Sequence, residues 1–223
     1  MLYCNKTLYD ETRSLKKGKT RLSPCLEALR LRISEHLGIT VLNIIYDVIE
    51  NGPVKGRSRL DIIVESAADY QFIYPAIFTI NEHAKDVILR EFADIIREMG
   101  VQSTFNTRDV HLFADDFSDE AMNQAAFQFF HNDAEAIVKR YSSDRVWKIT
   151  GISHRIVIFF SDEKAKDSAS VNGVASQIRQ VCYNILKGYD EFNYFTPEKF
   201  IATFDSKENL DKKYLGNLLY YFR

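Results

Sequence analysis

The sequence has few of the residues that break secondary structure or cross-link a chain. Only nine of its 223 residues are glycine, four are proline and three are cysteine. This scarcity of glycine and proline excludes a collagen-like or linker-rich protein. The cysteines, Cys4, Cys25 and Cys182, are odd in number and form no CxxC pair. A disulfide framework or a structural zinc site is therefore not expected. A reducing, cytoplasmic location is expected instead.

Long apolar runs are missing as well. No stretch approaches the roughly 20 residues that a membrane-spanning helix needs, and the first 21 residues lack the apolar segment of a secretory signal. We expect a protein without membrane attachment. Apolar residues nevertheless make up 46% of the chain, which is enough to build a packed core rather than a disordered chain.

Charge is nearly balanced overall but unevenly distributed. The chain has 29 Lys and Arg against 31 Asp and Glu, so its net charge gives no indication of nucleic-acid binding. Residues 13–21 carry five basic side chains and no acid, whereas residues 109–135 carry seven acids and no Lys or Arg. Any electrostatic recognition would therefore depend on local patches.

Aromatic residues are plentiful, at 13% of the chain. Tyr70, Phe72 and Tyr74 alternate with other residues, which would place all three on one face of an extended segment. Such a face either packs inside the protein or contacts a partner. The sequence leaves these alternatives open.

Capping residues and apolar spacing indicate the order of the elements. Ser23 and Pro24 predict the start of a helix over 24–37, and Gly38 predicts its end. Strands are predicted over 39–50 and 60–66, joined by the loop 51–59, and Pro75 favours an extended segment over 71–80. The other predicted elements are helices over 79–99, 117–141, 171–187 and from residue 205, and strands over 101–105, 110–114, 145–150, 154–161, 192–195 and 199–204. Residues 217–223 could be either helix or strand.

These elements predict an α+β fold, with antiparallel sheets packed by helices. The order helix, strand, strand, helix, strand pair occurs twice, with residues 110–120 matching residues 199–209 best. The repetition predicts an internal duplication, although α+β domains also repeat this order by chance. The predicted organisation is an N-terminal basic arm or strand (1–21), a first half (22–115) and a second half (116–223) packed closely on the first.

The order of elements up to residue 141 is similar to the type III secretion chaperone-like fold. The likeness is one of topology: a helix, three strands, a helix, two strands and a helix. It implies a protein that binds a partner, although fold does not by itself fix function.

Motifs for common catalytic chemistries are missing. None of the five histidines has zinc-ligand spacing, and no GxSxG sequence marks a nucleophilic serine. Cys25 and Cys182 lie on or beside apolar helical faces, which indicates buried thiols. The sequence therefore predicts no metal and no cofactor, and it favours a protein that is not an enzyme.

One pattern supports an enzymatic alternative. The basic loop 52–59 leads into a strand that carries Asp61 and Glu65, and both lie on the same face by the period-two rule. Nucleotidyltransferases and some metal-dependent nucleases share this layout. In this hypothesis the carboxylates would hold a divalent metal and Lys55, Arg57 and Arg59 would contact phosphates. The simpler interpretation is a polar strand face beside a solvated hairpin tip.

The N-terminal basic stretch is a further candidate for contact with phosphate or with an acidic partner. Its residues are Lys16, Lys17, Lys19 and Arg21. Nucleic-acid binding through this stretch is the least favoured hypothesis, because the protein as a whole is negatively charged.

The leading hypothesis is a non-catalytic cytoplasmic protein-binding module, immunity-like or chaperone-like, that recognises a basic partner. Its predicted partner-binding residues are Asp115, Asp116, Asp119, Glu120, Tyr70 and Tyr74. The acids also have a structural explanation, because negative charge is favourable at the N-terminal, positive end of a helix dipole. A homo-oligomer is compatible with every hypothesis.

Overall fold

The computed structural model describes residues 6–223, so Cys4 lies outside the described residues. The chain forms two compact units, which divide between Glu120 and Ala121. Each unit has its own three-stranded sheet and its own helices. The α+β architecture expected from the sequence is confirmed. Among the described residues, no helix has the length and apolar character needed to cross a membrane.

Unit 1 contains three strands and four complete helices. Their bounds are α1 Lys6–Lys16, α2 Pro24–Leu37, β1 Val41–Val48, β2 Ser58–Val64, α3 Ala67–Ile73, α4 Glu82–Glu98 and β3 His111–Asp116.

Unit 2 follows from within helix α5, which begins in unit 1. The bounds are α5 Phe117–Asn132, α6 Ala134–Arg140, a 3-10 turn at Ser142–Asp144, β4 Val146–Ile152, β5 Arg155–Phe160, α7 Glu163–Val171, α8 Val174–Tyr189, β6 Ala202–Ser206, α9 Lys207–Tyr214 and α10 Leu218–Tyr221.

The two sheets have the same topology. In each sheet an antiparallel hairpin is followed by two helices and a third strand, which runs parallel to the second. The first strand of each also has a register shift in the same place, between Val41 and Asn43 in β1 and between Val146 and Lys148 in β4. The sheets are therefore mixed rather than antiparallel throughout, and a pair of helices precedes the third strand. An internal duplication remains a prediction.

The strand pairing at the end of each third strand shows which residues of the two units correspond. Val64 pairs with Asp116 and Phe160 pairs with Ser206, and both partners lie where the next helix begins. Matching Val64 to Phe160 places Asp61 at the position that Val157 occupies in unit 2. The match proposed from sequence, residues 110–120 against 199–209, is displaced by one residue from this structural register.

Each sheet packs one face against a helical core of its own unit. In unit 1 the core-facing side chains of β2, Leu60 and Ile62, pack with helices α2 and α4, and Phe92 of α4 is fully buried. In unit 2 the corresponding positions of β5 are Ile156 and Ile158. The opposite face of sheet 1 carries the polar residues considered below.

The predicted extended segment over 71–80 is wrong in its first part. Ser66 accepts a hydrogen bond from the Asp69 amide and caps helix α3, which ends at Ile73, two residues before Pro75. The capped turn outweighs the apolar alternation, and proline disfavours helix only from the preceding residue onward. Tyr70, Phe72 and Tyr74 therefore do not share a strand face. Instead, Tyr70 stacks on Tyr74 with a ring separation of 5.6 Å.

Other boundaries also differ from the sequence predictions. The helix predicted over 117–141 is interrupted at Asp133. The sequence pattern does not predict helix α7, because this helix buries only two small side chains, Ala165 and Ala169. The strands predicted over 101–105 and 192–195 are turns, since backbone hydrogen bonds join residues three apart there. Residues 218–221 are helical.

The N-terminal basic segment is largely helical rather than an arm or strand. Helix α1 packs on β1, where the Asn43 amide donates a hydrogen bond to the Thr12 hydroxyl at 2.9 Å. Both side chains are buried. Apolar spacing does not predict this helix, because it lies in a polar N-terminal stretch.

Candidate functional site

The face of sheet 1 that points away from the helical core carries several charged residues. Along β2, Arg59, Asp61 and Ile63 alternate with the core residues. Strand pairing places Asp47 opposite Arg59, Phe113 beside Asp61 and Asp115 beside Ile63. Residues that pair across a sheet share a face, so Asp61 and Asp115 are diagonal neighbours about 7–8 Å apart at their Cα atoms. We call these two residues the carboxyl pair.

Asp61 is buried, and one of its oxygens has no hydrogen-bonding partner within residues 6–223. Only 6% of the residue is exposed, and its Oδ1 atom makes no hydrogen bond to any residue that the structure describes. Burial raises the pKa of Asp61 from 3.8 to about 6, although the positive charge of Arg59 acts in the opposite direction. A buried acceptor without a donor is costly, and native proteins rarely contain one.

Asp115 adds a second perturbed carboxyl at the same place. Burial, followed by the negative charge of Asp61, raises the pKa of Asp115 from 3.8 to about 7. Two carboxyls this close release their protons as a coupled pair. At neutral pH the carboxyl pair is therefore partly protonated, whereas solvated aspartates would be ionised.

The basic residues of this face already have acidic partners. Arg59 donates to Asp47, with 2.8 Å between the Arg59 Nε and Asp47 Oδ1 atoms. Lys16 of α1 contacts both carboxylate oxygens of Glu65, at 2.8 and 2.6 Å. No ion pair joins Asp61 or Asp115 to a lysine or arginine within residues 6–223.

The other predicted acids have different roles. Asp116 caps helix α5, because its Oδ1 atom accepts from the backbone N–H and the hydroxyl of Ser118, both at 2.8 Å. Burial raises its pKa, and these hydrogen bonds act in the opposite direction. Asp119 is exposed in the first turn of the helix, whereas Glu120 is buried.

The two predicted tyrosines lie beside the carboxyl pair. The Tyr74 hydroxyl donates to the carbonyl of Leu112 on β3 at 2.9 Å, and Tyr70 stacks on Tyr74. Burial and the charges of Asp115 and Asp116 raise the pKa of Tyr70. The structure thus brings Tyr70, Tyr74, Asp115 and Asp116 together in unit 1.

The structure does not bring Asp61 and Glu65 together. They share a face but are four residues apart on an extended strand, which separates their Cα atoms by about 13 Å. Ligand oxygens of one divalent cation lie about 2.0–2.6 Å from it, so these carboxylates do not converge on one ion. Within residues 6–223, no group of three His, Cys, Asp or Glu side chains could hold a metal.

The basic hairpin loop lies at the far end of β2 from Glu65. Arg57 pairs with Asp109, at 3.1 Å between its Nε atom and Asp109 Oδ2, and eight residues separate it from Glu65. An extended chain of that length spans about 26 Å. Lys55 lies in the turn of this loop. The three basic residues Lys55, Arg57 and Arg59 therefore do not surround the two carboxylates.

The N-terminal basic residues are also separated by the fold. Lys16 is bound to Glu65, whereas Lys17, Lys19 and Arg21 are exposed at the end of α1 and in the turn that follows. Arg21 lines an open cleft beside β1. Within the described residues, no hydrogen bond or ion pair joins these side chains to the hairpin loop.

Sequence spacing did not identify the second member of the carboxyl pair. The relevant neighbour is Asp115, which parallel pairing of β2 and β3 places on the same face. The available signal was that both residues alternate with apolar neighbours on strand-like runs. Spacing alone could not show that these two strands pair.

Comparison with known proteins gives no relative to guide the assignment. No family model, no curated protein and no solved structure matches the chain. The likeness in element order to the type III secretion chaperone-like fold depended on a third strand over 71–80, where the structure has helix α3 and a turn.

Proposed function

We propose that this protein is a non-catalytic protein-binding module, immunity-like or chaperone-like, and that the carboxyl pair receives a lysine or arginine side chain of a basic partner. The observation that carries the proposal is the buried Oδ1 atom of Asp61, which has no donor in the described chain and lies beside a second carboxyl. A partner's cationic group would supply the missing donors.

Arginine suits this site better than a neutral group. A guanidinium presents five N–H donors in a planar fork, and hydrogen bonds between ionised groups are about twice as strong as neutral ones. Asp115 is only half-buried, so the pair can be approached from its side. Phe113, which is 43% exposed beside Asp61, would offer an aromatic face to the incoming cation.

The position of Asp61 supports a role in recognition rather than in folding. Unit 2 has Val157 at the corresponding position of the same topology, where it packs with Phe159 and Leu210. An apolar residue therefore satisfies this fold. A carboxylate that the fold does not need, and whose Oδ1 atom has no donor among residues 6–223, is better explained by something it binds.

Capture of partner proteins from an extract of the source cells tests the proposal. We expect wild-type protein to retain a basic partner, and Asp61→Asn and Asp115→Asn to reduce the retained amount by about tenfold or more. Retention should increase between about pH 5 and pH 8, because the pair must lose its proton to bind a cation. The exposed Asp86→Asn change on α4 serves as a control and should have no effect.

The proposal fails if no partner is retained, or if Asp61→Asn and Asp115→Asn retain it as well as wild type. The same buried oxygen also favours one alternative, a metal-dependent nucleotidyltransferase- or nuclease-like enzyme in which Asp115 rather than Glu65 joins Asp61. Thermal stabilisation by Mn²⁺ or Mg²⁺ that is lost in Asp61→Asn would favour that enzyme over the binding module.

A further inference from the structure

Strand β1 is an edge of sheet 1, and part of its outer edge pairs with no strand in the described part of the chain. In an antiparallel pair, residues alternate between those that hydrogen-bond to the neighbouring strand and those that point away from it. The Ile49 amide donates to the Arg57 carbonyl, so the bonding pairs continue at Asp47 and Ile45. The backbone N–H and C=O groups of Ile44 and Tyr46 therefore point away from β2.

The protein closes the start of this edge with side chains of helix α2. The Ser34 hydroxyl accepts from the Val41 amide at 3.1 Å, and Arg30 donates to the Val41 carbonyl at 3.1 Å. No described residue makes such a bond to the outward groups of Ile44 or Tyr46. An unpaired edge of this kind is a template for another strand.

An open cleft of about 650 Å³ runs beside these groups and lies entirely in unit 1. Its size is within the range of small-ligand sites. One wall is a face of helix α1. Its residues recur at helical spacing and are Thr7, Asp10, Glu11 and Ser14. The other wall includes Leu22 and, on α2, Leu26.

The walls indicate which residues would fit. Neither Asp10 nor Glu11 makes an ion pair within residues 6–223, so the α1 wall presents two carboxylates against one cation in the cleft lining, Arg21. Leu22 and Leu26 make the opposite wall apolar. Side chains of an added strand alternate between two faces, so a cationic residue and an apolar residue in alternation would match both walls.

We propose that this cleft binds an extended segment of a partner protein, which pairs with β1 as a fourth strand of sheet 1. Its backbone would bond to Ile44 and Tyr46, and a lysine or arginine would face Asp10 and Glu11. In β-strand addition the backbone bonds provide affinity and the side-chain sites provide specificity. The site is separate from the carboxyl pair and the proposal stands whether or not that pair binds a partner.

Selection from a displayed random library of peptides of about 12 residues tests the proposal directly. We expect wild-type protein to enrich peptides in which Lys or Arg alternates with apolar residues. The synthetic form of the most enriched peptide should bind Glu11→Lys and Ser14→Trp at least about tenfold more weakly. Glu35→Lys, an exposed residue of α2 outside the cleft, makes the same charge change and should bind normally.

Amide hydrogen exchange of the wild-type protein locates the bound peptide without any substitution. The amides of Ile44 and Tyr46 should exchange at least about tenfold more slowly in the complex, because they gain a backbone partner. Thermal unfolding of each variant confirms that it is folded. Asp61→Asn should leave peptide binding unchanged, which separates this proposal from that for the carboxyl pair.

Several results would overturn the proposal. These are a library that enriches no peptide, a peptide that protects amides elsewhere, and a peptide that binds Glu11→Lys as tightly as wild type. Concentration-dependent dimerisation that Ser14→Trp abolishes would assign the edge to a second copy of this chain instead of a partner segment.

Discussion

The Asp61→Asn protein is expected to be more stable than wild type at about pH 8, by up to about 3 kcal/mol. In the wild type, folding transfers a carboxylate into a site where its Oδ1 atom finds no donor among the described residues. The rise in its pKa from 3.8 to about 6 is the signature of that cost. The substitution removes the charge, and its new amide can donate to Asp115.

The gain in stability should disappear in acid. The pKa of Asp61 is higher in the folded than in the unfolded state, so between about pH 4 and pH 6 the folded protein binds more protons. The wild type therefore loses stability as the pH rises through this window, whereas the variant lacks this loss. Urea unfolding at about pH 4 and pH 8 measures both effects.

A matched comparison comes from Asp86→Asn, which removes an exposed carboxylate from the same unit and should change stability by less than about 0.5 kcal/mol. A destabilised Asp61→Asn protein at pH 8 would mean that Asp61 has a structural partner. That result would contradict the account of the carboxyl pair.

The Asp190→Asn protein is expected to be less stable than wild type, in contrast to Asp61→Asn. Asp190 is as buried as Asp61, at 7% exposed, but its carboxylate accepts from the amides of Tyr194 and Phe195 and from Lys187, all at 2.8–2.9 Å. Asp190→Asn replaces one acceptor with a donor that faces these donors. The expected loss of stability is about 3 kcal/mol, typical of breaking a buried ion pair.

Chemical unfolding of Asp190→Asn beside Asp167→Asn measures this loss. Asp167 is exposed on helix α7 of the same unit, and its substitution should change stability little. An Asp190→Asn protein as stable as wild type would show that burial of a carboxylate, rather than its set of donors, determines the sign of these effects.

Local signals determined which elements could be predicted. Ser23, Pro24 and Gly38 define helix α2, and the structure gives the predicted bounds, with Ser23 accepting from the Leu26 amide. Helix α3 has a cap of the same kind in Ser66 but buries only Ile73, so its apolar pattern is too short to indicate a helix. Where a cap and an apolar face coincide, sequence predicts the element.

The candidate site depended on pairing between distant strands. Spacing along β2 paired Asp61 with Glu65, because only their sequence separation was visible. The structure pairs Glu65 with Lys16 and sets Asp61 beside Asp115. A parallel third strand that follows two helices is a long-range arrangement, which no local pattern specifies.

Carbon-13 NMR titration of the Asp61 carboxyl in the wild-type protein is the most direct test of the central claim. The account predicts a pKa of about 6 in the free protein and a lower pKa when a basic partner is bound, because a cation favours the ionised form. A pKa near 3.8 in the free protein would contradict it, since Asp61 would then be an ordinary solvated carboxylate with no need of a partner.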